Sequence, residues 1–189
     1  MLVLAVIINL LLVNGLIGDP ILVLGPTYDN FRLTSQAQGA DVHYYNYQTD
    51  FTLNEQGFIN KIQELSPSLV YICNPNNPSG TLLSKTFLKK LIYQFQDVIF
   101  LIDEAYFEFS KETMAEEVVI FPNLFVSRTF SKAFGLANFR AGYLISDVNN
   151  IQQISKIRNP KNFTTFAQEA VLGVLSDIDY MECHVKAVS

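Results

Sequence analysis

Residues suited to acid–base, nucleophilic and anion-binding chemistry are concentrated in a few short segments of the 189-residue chain. Residues 74–80 (Asn-Pro-Asn-Asn-Pro-Ser-Gly) contain three asparagines, and residues 103–106 (Asp-Glu-Ala-Tyr) combine two carboxylates with a phenol. Residues 127–132 (Ser-Arg-Thr-Phe-Ser-Lys) bring hydroxyls, a guanidinium and an amine, and Arg140 follows eight residues after the lysine. The segments together offer the groups needed to engage a carbonyl, pair with a ring nitrogen and bind an anion.

Several common catalytic patterns are absent from the sequence. There is no Gly-x-Gly-x-x-Gly or Gly-x-x-x-x-Gly-Lys-Ser/Thr phosphate loop, and no Gly-x-Ser-x-Gly nucleophile elbow. His43 and His184 have no partners at metal-ligand spacing, so we interpret both as structural or surface residues and predict no metal site. Cys73 and Cys183 are too few for a disulfide framework or a zinc site and are typical of a reducing compartment, so we expect a cytoplasmic protein.

The groups that remain match the needs of pyridoxal 5′-phosphate (PLP). Its aldehyde requires an amine, its phosphate a cationic and hydrogen-bonding cup, its ring nitrogen a carboxylate, and its phenolate oxygen hydrogen-bond donors. The sequence therefore predicts PLP as the cofactor.

Six apolar runs of strand length must position these groups: residues 21–24, 42–45, 69–72, 98–102, 124–126 and 141–145. Several runs are continuous rather than alternating, which is typical of strands covered on both faces of a mainly parallel sheet. Helical patterns separate the runs, so we predict an α/β fold with a mainly parallel sheet and helices on both faces. Ligands of such sheets bind at the carboxyl ends of the strands, where the reactive segments fall.

Capping signals predict helices between the strands. Thr52 and Glu55 resemble a capping box that opens a helix ending at Leu65. Ser84 is the predicted N-cap of a helix over residues 85–96, where apolar residues repeat at helical spacing.

The C-terminal part is also predicted to be helical. Asp147 would cap a helix that runs towards Arg158, and residues 165–177 form the next predicted helix. We therefore expect one domain over residues 1–158 and a helical segment over residues 159–189 that leads towards a further, smaller domain.

Composition limits the partners of the chain. Thirteen Lys and Arg residues stand against 18 Asp and Glu, a net charge of -5 that argues against a nucleic acid or an anionic membrane as main partner. Residues 1–13 are almost wholly apolar, but the run is short of the roughly 20 residues of a membrane span, and no basic residue precedes Arg32 as a secretory signal requires. We expect residues 1–13 to form a buried helix.

Three segments resemble the class I/II (fold-type I) PLP-dependent aminotransferases and are most similar to the histidinol-phosphate aminotransferase group. They are residues 71–80 (YICNPNNPSG), 103–106 (DEAY) and 128–135 (RTFSKAFG), in the family's order and spacing. The resemblance implies the large domain of a transaminase of amino-acid or histidine biosynthesis, which moves an amino group between an amino acid or amine and a 2-oxo acid. It also implies a homodimer in the full-length form. Because family members are considerably longer, we expect a truncated chain.

The resemblance assigns roles around the cofactor ring. Lys132 would form the Schiff base with the aldehyde, and Asp103 would pair with the ring nitrogen. Asn77 and Tyr106 would donate to the phenolate oxygen, and Tyr28 would stack on the ring. Lys132, Asp103 and Tyr106 are the predicted catalytic residues.

The resemblance also implies a phosphate cup formed by Thr129, Ser131 and Arg140, because a planar guanidinium suits phosphate. Glu104 and Arg128 have no implied chemistry and are interpreted as salt-bridge or helix-end residues.

The neighbours of Lys132 give a separate expectation. Phe130, Ala133 and Phe134 are apolar and adjacent to it in sequence. We expect them to enclose the amine, because partial desolvation makes a lysine easier to deprotonate.

Two alternatives to a transaminase stay open on the sequence. A PLP-dependent decarboxylase of the threonine-phosphate type would use the same cofactor groups and differ in the bond broken at Cα. A truncated, non-catalytic remnant would keep the cofactor residues without turning over substrate.

Overall fold

The computed structural model of the protein describes residues 18–157 and 161–188. Within these residues the main elements, in chain order, are β1 (Pro20–Gly25), α1 (Asn30–Ala37), β2 (Asp41–Asn46), α2 (Glu55–Leu65), β3 (Leu69–Cys73), α3 (Lys85–Gln94), β4 (Ile99–Asp103), α4 (Phe107–Ser110), β5 (Leu124–Thr129), β6 (Gly142–Ser146), α5 (Val148–Ile157), α6 (Thr165–Leu175) and α7 (Ile178–Val188). Short 3-10 turns cover Ala115–Val119 and Ala137–Phe139.

The strands form one sheet in the order β2-β1-β3-β4-β5-β6. The pairs β1–β2, β1–β3, β3–β4 and β4–β5 are parallel, and β5–β6 is antiparallel. The predicted mainly parallel sheet is confirmed. Because the strands that follow β1 in the chain lie on opposite sides of it, a crevice is expected where the order reverses, at the carboxyl ends of β1 and β3.

Helices cover both faces of the sheet, as predicted. On one face, α2 and α3 pack against strand residues that include Leu22, Val70 and Phe100. On the other face, α1 contributes Phe31 and α5 contributes Ile154 to a second apolar cluster. Strand β3 is buried along its whole length, which explains its continuous apolar sequence.

The predicted helix starts hold in one case and fail in another. Ser84 caps α3 by accepting a hydrogen bond from the backbone N–H of Phe87 at 3.2 Å. The predicted capping box at Thr52 is wrong, because Asn54 is the N-cap of α2 and accepts from the N–H of Gly57 at 3.0 Å. The Thr52 hydroxyl instead bonds within its own turn, to Asp50 at 2.6 Å. Helices α1 and α4 were not among the predicted elements.

The C-terminal helices pack on the loop that follows β5. Met181 and Val185 of α7 share an apolar cluster with Phe130 and Phe134. The Nδ1 atom of His184 donates to the backbone oxygen of Ala133 at 2.9 Å, in keeping with its predicted structural role. The predicted helix over residues 1–13 and the predicted domain boundary near residue 158 lie outside the described residues.

The described ranges contain neither a candidate membrane span nor a candidate metal cluster. In residues 18–157 and 161–188, no helix combines the length and apolar character of a membrane span. The same ranges contain no cluster of three or more His, Cys, Asp or Glu side chains that could hold a metal ion.

Candidate active site

A cavity of about 180 Å³ lies at the carboxyl ends of the central strands. Its lining includes all eight residues named as site candidates from the sequence: Tyr28, Asn77, Asp103, Tyr106, Thr129, Ser131, Lys132 and Arg140. The cavity is therefore bounded by the last residues of β4 and β5, by the segments that follow β1, β3, β4 and β5, and by residues at the start of β6. Ser127, which received no role from the sequence, and Arg128, which was expected to be structural, also line the cavity.

Asp103 is the last residue of β4 and is only 7% exposed. Its Oδ2 accepts a hydrogen bond from the Tyr71 hydroxyl at 2.8 Å, and its Oδ1 accepts from the Ser127 hydroxyl at 3.0 Å. Burial raises the pKa of the Asp103 carboxyl above its ordinary value, and the hydroxyls of Tyr71 and Ser127 act in the opposite direction. The site thus contains a buried carboxyl group with both oxygens held.

Tyr71 is the buried partner that sequence reasoning missed. Its side chain is fully buried in β3, and its ring stacks on Phe31 with centroids 4.2 Å apart. Burial, together with the adjacent Asp103, raises the pKa of the Tyr71 hydroxyl well above its ordinary value, so it remains a donor. The available signal was a tyrosine inside an otherwise apolar strand, since a buried hydroxyl needs a partner.

The Lys132 amine lies beside Tyr106, with its Nζ 5.1 Å from the centroid of that ring. The expectation that aromatic neighbours enclose it is wrong, because Lys132 is exposed. Phe130 and Phe134 contact each other instead, with ring centroids 5.0 Å apart, in the cluster beneath α7. The backbone turns at this point, with the N–H of Gly135 bonded to the Lys132 oxygen at 2.9 Å, so neighbouring side chains leave in different directions.

Thr129, Ser131 and Arg140 line the cavity near the pairing of β5 with β6. The Thr129 hydroxyl accepts from the N–H of Ser131 at 3.1 Å and lies 3.2 Å from the Ala141 oxygen, to which it donates. Arg140 is exposed and donates from Nη1 to the Ala137 oxygen at 2.6 Å. Its backbone has φ +54°, a left-handed conformation that ends the preceding turn before β6 begins. Two hydroxyl residues and an arginine thus contribute to the lining of the cavity.

The loop that carries Asn77 is fixed by two buried asparagines without a predicted role. The side chain of Asn74 accepts from the N–H of Leu83 at 2.7 Å and donates to the Leu83 oxygen at 3.2 Å. Asn76 donates to the Pro26 oxygen at 3.0 Å and so ties this loop to the one that carries Tyr28. The side chains of Asn74 and Asn76 therefore hold the loops that carry Asn77 and Tyr28, both of which line the cavity.

Glu104 and Arg128 form a salt bridge with each other, which is one of the two roles expected for these residues from the sequence. Arg128 Nη2 lies 2.9 Å from Glu104 Oε2, and the Arg128 guanidinium lies 3.5 Å from the centroid of the Phe107 ring. The backbone N–H of Met114 donates to the same carboxylate at 2.6 Å. The positive charge of the Arg128 guanidinium is therefore paired with the Glu104 carboxylate.

The chemical groups along the lining fit PLP. An amine (Lys132), a buried carboxyl (Asp103) and a phenol (Tyr106) are all present in one cavity. The lining also contains two hydroxyls and a guanidinium, groups with the chemistry to bind an anion. Each group that the cofactor requires has a side chain of the right chemistry.

Comparison with known proteins supports the same cofactor. The model of the family "Aminotransferase class I and II" matches residues 4–188. A dihydroxyacetone phosphate transaminase of Campylobacter jejuni is 41% identical over 171 residues, which are 90% of this chain and 47% of that protein. A histidinol-phosphate aminotransferase of Caldanaerobacter subterraneus is 34% identical over 158 residues, 84% of this chain and 45% of that protein.

The fold is similar to that of solved aminotransferases. The histidinol-phosphate aminotransferase of Sinorhizobium meliloti, solved in complex with PLP, superposes with a TM-score of 0.85 at 26% identity. The superposition covers 97% of this chain and 50% of that one. The chain thus spans about half the length of the curated relatives that it matches. With a family model that matches nearly its whole length, the chain belongs to the class I and II aminotransferases.

Proposed function

We propose that this chain carries the PLP site of a transaminase that moves an amino group between an amino acid or amine and a 2-oxo acid. The observation that carries the proposal is the shared cavity, since eight residues chosen from sequence motifs line one space of about 180 Å³. They come from five separate segments of the chain, and the parallel sheet brings those segments to one edge.

Four residues are proposed to hold the cofactor ring. Lys132 provides the amine for the aldehyde, and Asp103 provides the carboxylate for the ring nitrogen. Tyr106 and Asn77 provide donors for the phenolate oxygen. In support, the Tyr106 ring lies 5.1 Å from Lys132 Nζ, so the phenol and the amine can serve one small molecule.

The remaining predicted residues are proposed to bind the phosphate and to cover the ring. Thr129 and Ser131 offer hydroxyls, and Arg140 offers a guanidinium that can form two parallel charge-assisted hydrogen bonds. Tyr28 has 43% of its surface exposed, which leaves its ring available for stacking.

When bound, PLP supplies an aldehyde that an amine can engage and a ring that draws electrons from the substrate's Cα. Asp103 keeps the ring nitrogen protonated, because an ionised carboxylate at that atom favours the charged form of its partner. The Nζ of Lys132 would act as the general base that takes the proton from the substrate's Cα. Tyr106 and Asn77 would hold the ring through hydrogen bonds to its phenolate oxygen.

We propose histidinol phosphate or a similar amine as the amino donor. This is supported by the name of the 34% identical relative and by that of the structural neighbour. A second candidate substrate is dihydroxyacetone phosphate, which the 41% identical relative favours. Both compounds carry a phosphate ester. A homodimer and a cytoplasmic location stay predictions from the sequence.

Reductive labelling tests the cofactor site. The chain is incubated with PLP, reduced with borohydride and digested, and mass spectrometry then locates the pyridoxyl group. We expect the label on Lys132 and its loss in Lys132→Ala. Lys156→Ala is the matched control, because that exposed lysine donates to Gln153 on its own helix and does not line the cavity. A label on another lysine, or no label, contradicts the proposal.

Turnover tests the reaction. The chain loaded with PLP is supplied with histidinol phosphate and 2-oxoglutarate, or with glutamate and dihydroxyacetone phosphate. Amino-group transfer is then followed by mass spectrometry. Transfer with either pair supports the transaminase and identifies the substrate. Carbon dioxide release from a phosphorylated amino acid would indicate the decarboxylase, and PLP binding without turnover would indicate the non-catalytic remnant.

A further inference from the structure

The Asp103 carboxylate is held from both sides by hydroxyl groups of the neighbouring strands. Tyr71 belongs to β3 and donates to Oδ2 at 2.8 Å, and Ser127 belongs to β5 and donates to Oδ1 at 3.0 Å. The strand register explains the arrangement, because Asp103 pairs with Cys73 on one side and with Ser127 on the other. Tyr71 precedes Cys73 by two residues and therefore points to the same face of the sheet.

The two donors restrict the carboxylate in orientation and in charge. One hydrogen bond would leave the group free to rotate about its axis, whereas a separate donor on each oxygen fixes its plane. Hydrogen bonds from hydroxyls also favour the ionised form of a buried carboxyl group, which burial alone disfavours. All three residues are buried, so water competes little with these contacts.

Tyr71 has a hydroxyl that its packing does not require. The ring fills the space against Phe31 through a parallel stack with an interplanar angle of 6°. A phenylalanine would make the same stack. The hydroxyl is therefore separable from the ring, and its contact with Asp103 is the feature that a tyrosine adds to this strand.

We propose that Tyr71 and Ser127 are positioning residues, which hold Asp103 ionised and in one orientation so that it recognises the cofactor through its ring nitrogen. This inference rests on the proposed PLP site. It assigns the recognition of the ring nitrogen to a three-residue unit across β3, β4 and β5, in which only Asp103 touches the cofactor.

The test compares two ligands that differ at the ring nitrogen. The chain is titrated with PLP and with its carbocyclic analogue, in which a C–H group replaces that nitrogen, and both dissociation constants are measured by absorbance. The variants are Tyr71→Phe and Ser127→Ala. Tyr47→Phe is the matched control, because Tyr47 is also buried but its hydroxyl has no hydrogen-bond partner in the part of the chain that the structure describes.

We expect the wild-type chain to bind PLP more tightly than the analogue. Tyr71→Phe should weaken PLP binding roughly 10- to 100-fold, the range of one hydrogen bond to a charged group, and should leave binding of the analogue within about twofold. Ser127→Ala should act in the same direction, and Tyr47→Phe should change neither constant.

Other outcomes distinguish a failure of the positioning role from a failure of the proposed PLP site. Equal weakening of both ligands by Tyr71→Phe and Ser127→Ala, or no weakening of either, would overturn the positioning role and leave the PLP site standing. Equal affinity of the wild-type chain for both ligands would also overturn it, because Asp103 would then not recognise the nitrogen. A wild-type chain that binds neither ligand and takes no label on Lys132 would overturn the proposed function itself.

Discussion

Arg128 binds one oxygen of Glu104 through two nitrogens, with Nε at 3.0 Å and Nη2 at 2.9 Å from Oε2. Glu104 directly follows Asp103, and Arg128 directly precedes Thr129, so the pair joins the chain at the ends of β4 and β5. Each partner is therefore one residue away from a proposed cofactor ligand. The salt bridge is well placed to keep the carboxyl of Asp103 and the hydroxyl of Thr129 at a fixed separation.

Removal of Arg128 should destabilise the protein strongly. Glu104 is only 1% exposed, so Arg128→Ala leaves a buried carboxylate without its cation, a change that typically costs about 3–5 kcal/mol. Lys61→Ala is the control, because it breaks the exposed pair with Glu64 and should cost less than about 1 kcal/mol. Urea unfolding measures both free energies. Similar losses in the two variants would show that the Glu104 pair is no more than a surface contact.

Asp103 should make folding stability depend on pH. Because burial raises the pKa of Asp103 in the folded state, its contribution to stability is present below the ordinary pKa of about 4 and is lost as the pH rises through the folded value. Asp103→Asn cannot titrate and escapes this loss. The melting temperature of the variant minus that of the wild type should therefore increase as the pH is raised from about 4 towards neutrality.

Thermal unfolding of the two proteins across that pH range provides the measurement. The difference isolates Asp103, because other titrating groups act on both proteins alike. A difference that stays constant with pH would contradict a raised pKa. PLP affinity should fall in Asp103→Asn at the same time, so stability and cofactor binding should move in opposite directions at neutral pH.

Gly142 is required for the close approach of β6 to β5. A Cβ atom at this position would lie 2.8 Å from the backbone oxygen of Arg128, which cannot move away as a flexible side chain could. Gly142→Ala should therefore cost roughly 1–3 kcal/mol and should weaken PLP binding by displacing Thr129, its partner in the strand register.

Gly173→Ala is the matched control for this substitution. Gly173 lies within α6, and a Cβ there has nothing within 4 Å. Alanine should stabilise that helix by roughly 0.5–1 kcal/mol, because glycine is the poorer helix former. Chemical unfolding and a PLP titration of both variants test the contrast, and equal effects at the two glycines would refute the close-approach argument.

The sheet and the residues at its edge were open to prediction for a simple reason. Continuous apolar runs identify buried parallel strands, and the chain must expose its polar segments where those strands end. Asp103 and Thr129 each end a strand, so their placement follows from the strand assignment alone. Their chemistry then indicates the cofactor.

Side-chain direction in the loops was not open to prediction in the same way. We expected Phe130 and Phe134 to enclose Lys132 because they are its neighbours in sequence. In the structure both rings pack against the apolar residues of α7 instead. Thr52 and Asn54 are both good N-caps, and only the folded turn decides between them. The role of Tyr71 depends on the pairing of β3 with β4, a contact distant in sequence.

Asn74 should prove essential for the loop that carries Asn77. Its side chain makes two hydrogen bonds to the backbone of Leu83, at 2.7 and 3.2 Å, and is buried. In Asn74→Ala the N–H and the oxygen of Leu83 lose these partners, and an unsatisfied buried polar group costs about 1–3 kcal/mol. We expect the free energy of unfolding, measured by chemical denaturation, to fall by this amount for each unsatisfied group, and PLP binding to weaken.

Asn60→Ala is the control, because it removes only an exposed contact with Gln56 on α2. It should change the free energy of unfolding by less than about 0.5 kcal/mol and leave PLP binding intact. If the two asparagine variants behave alike, the Leu83 contacts do not hold this wall of the cavity.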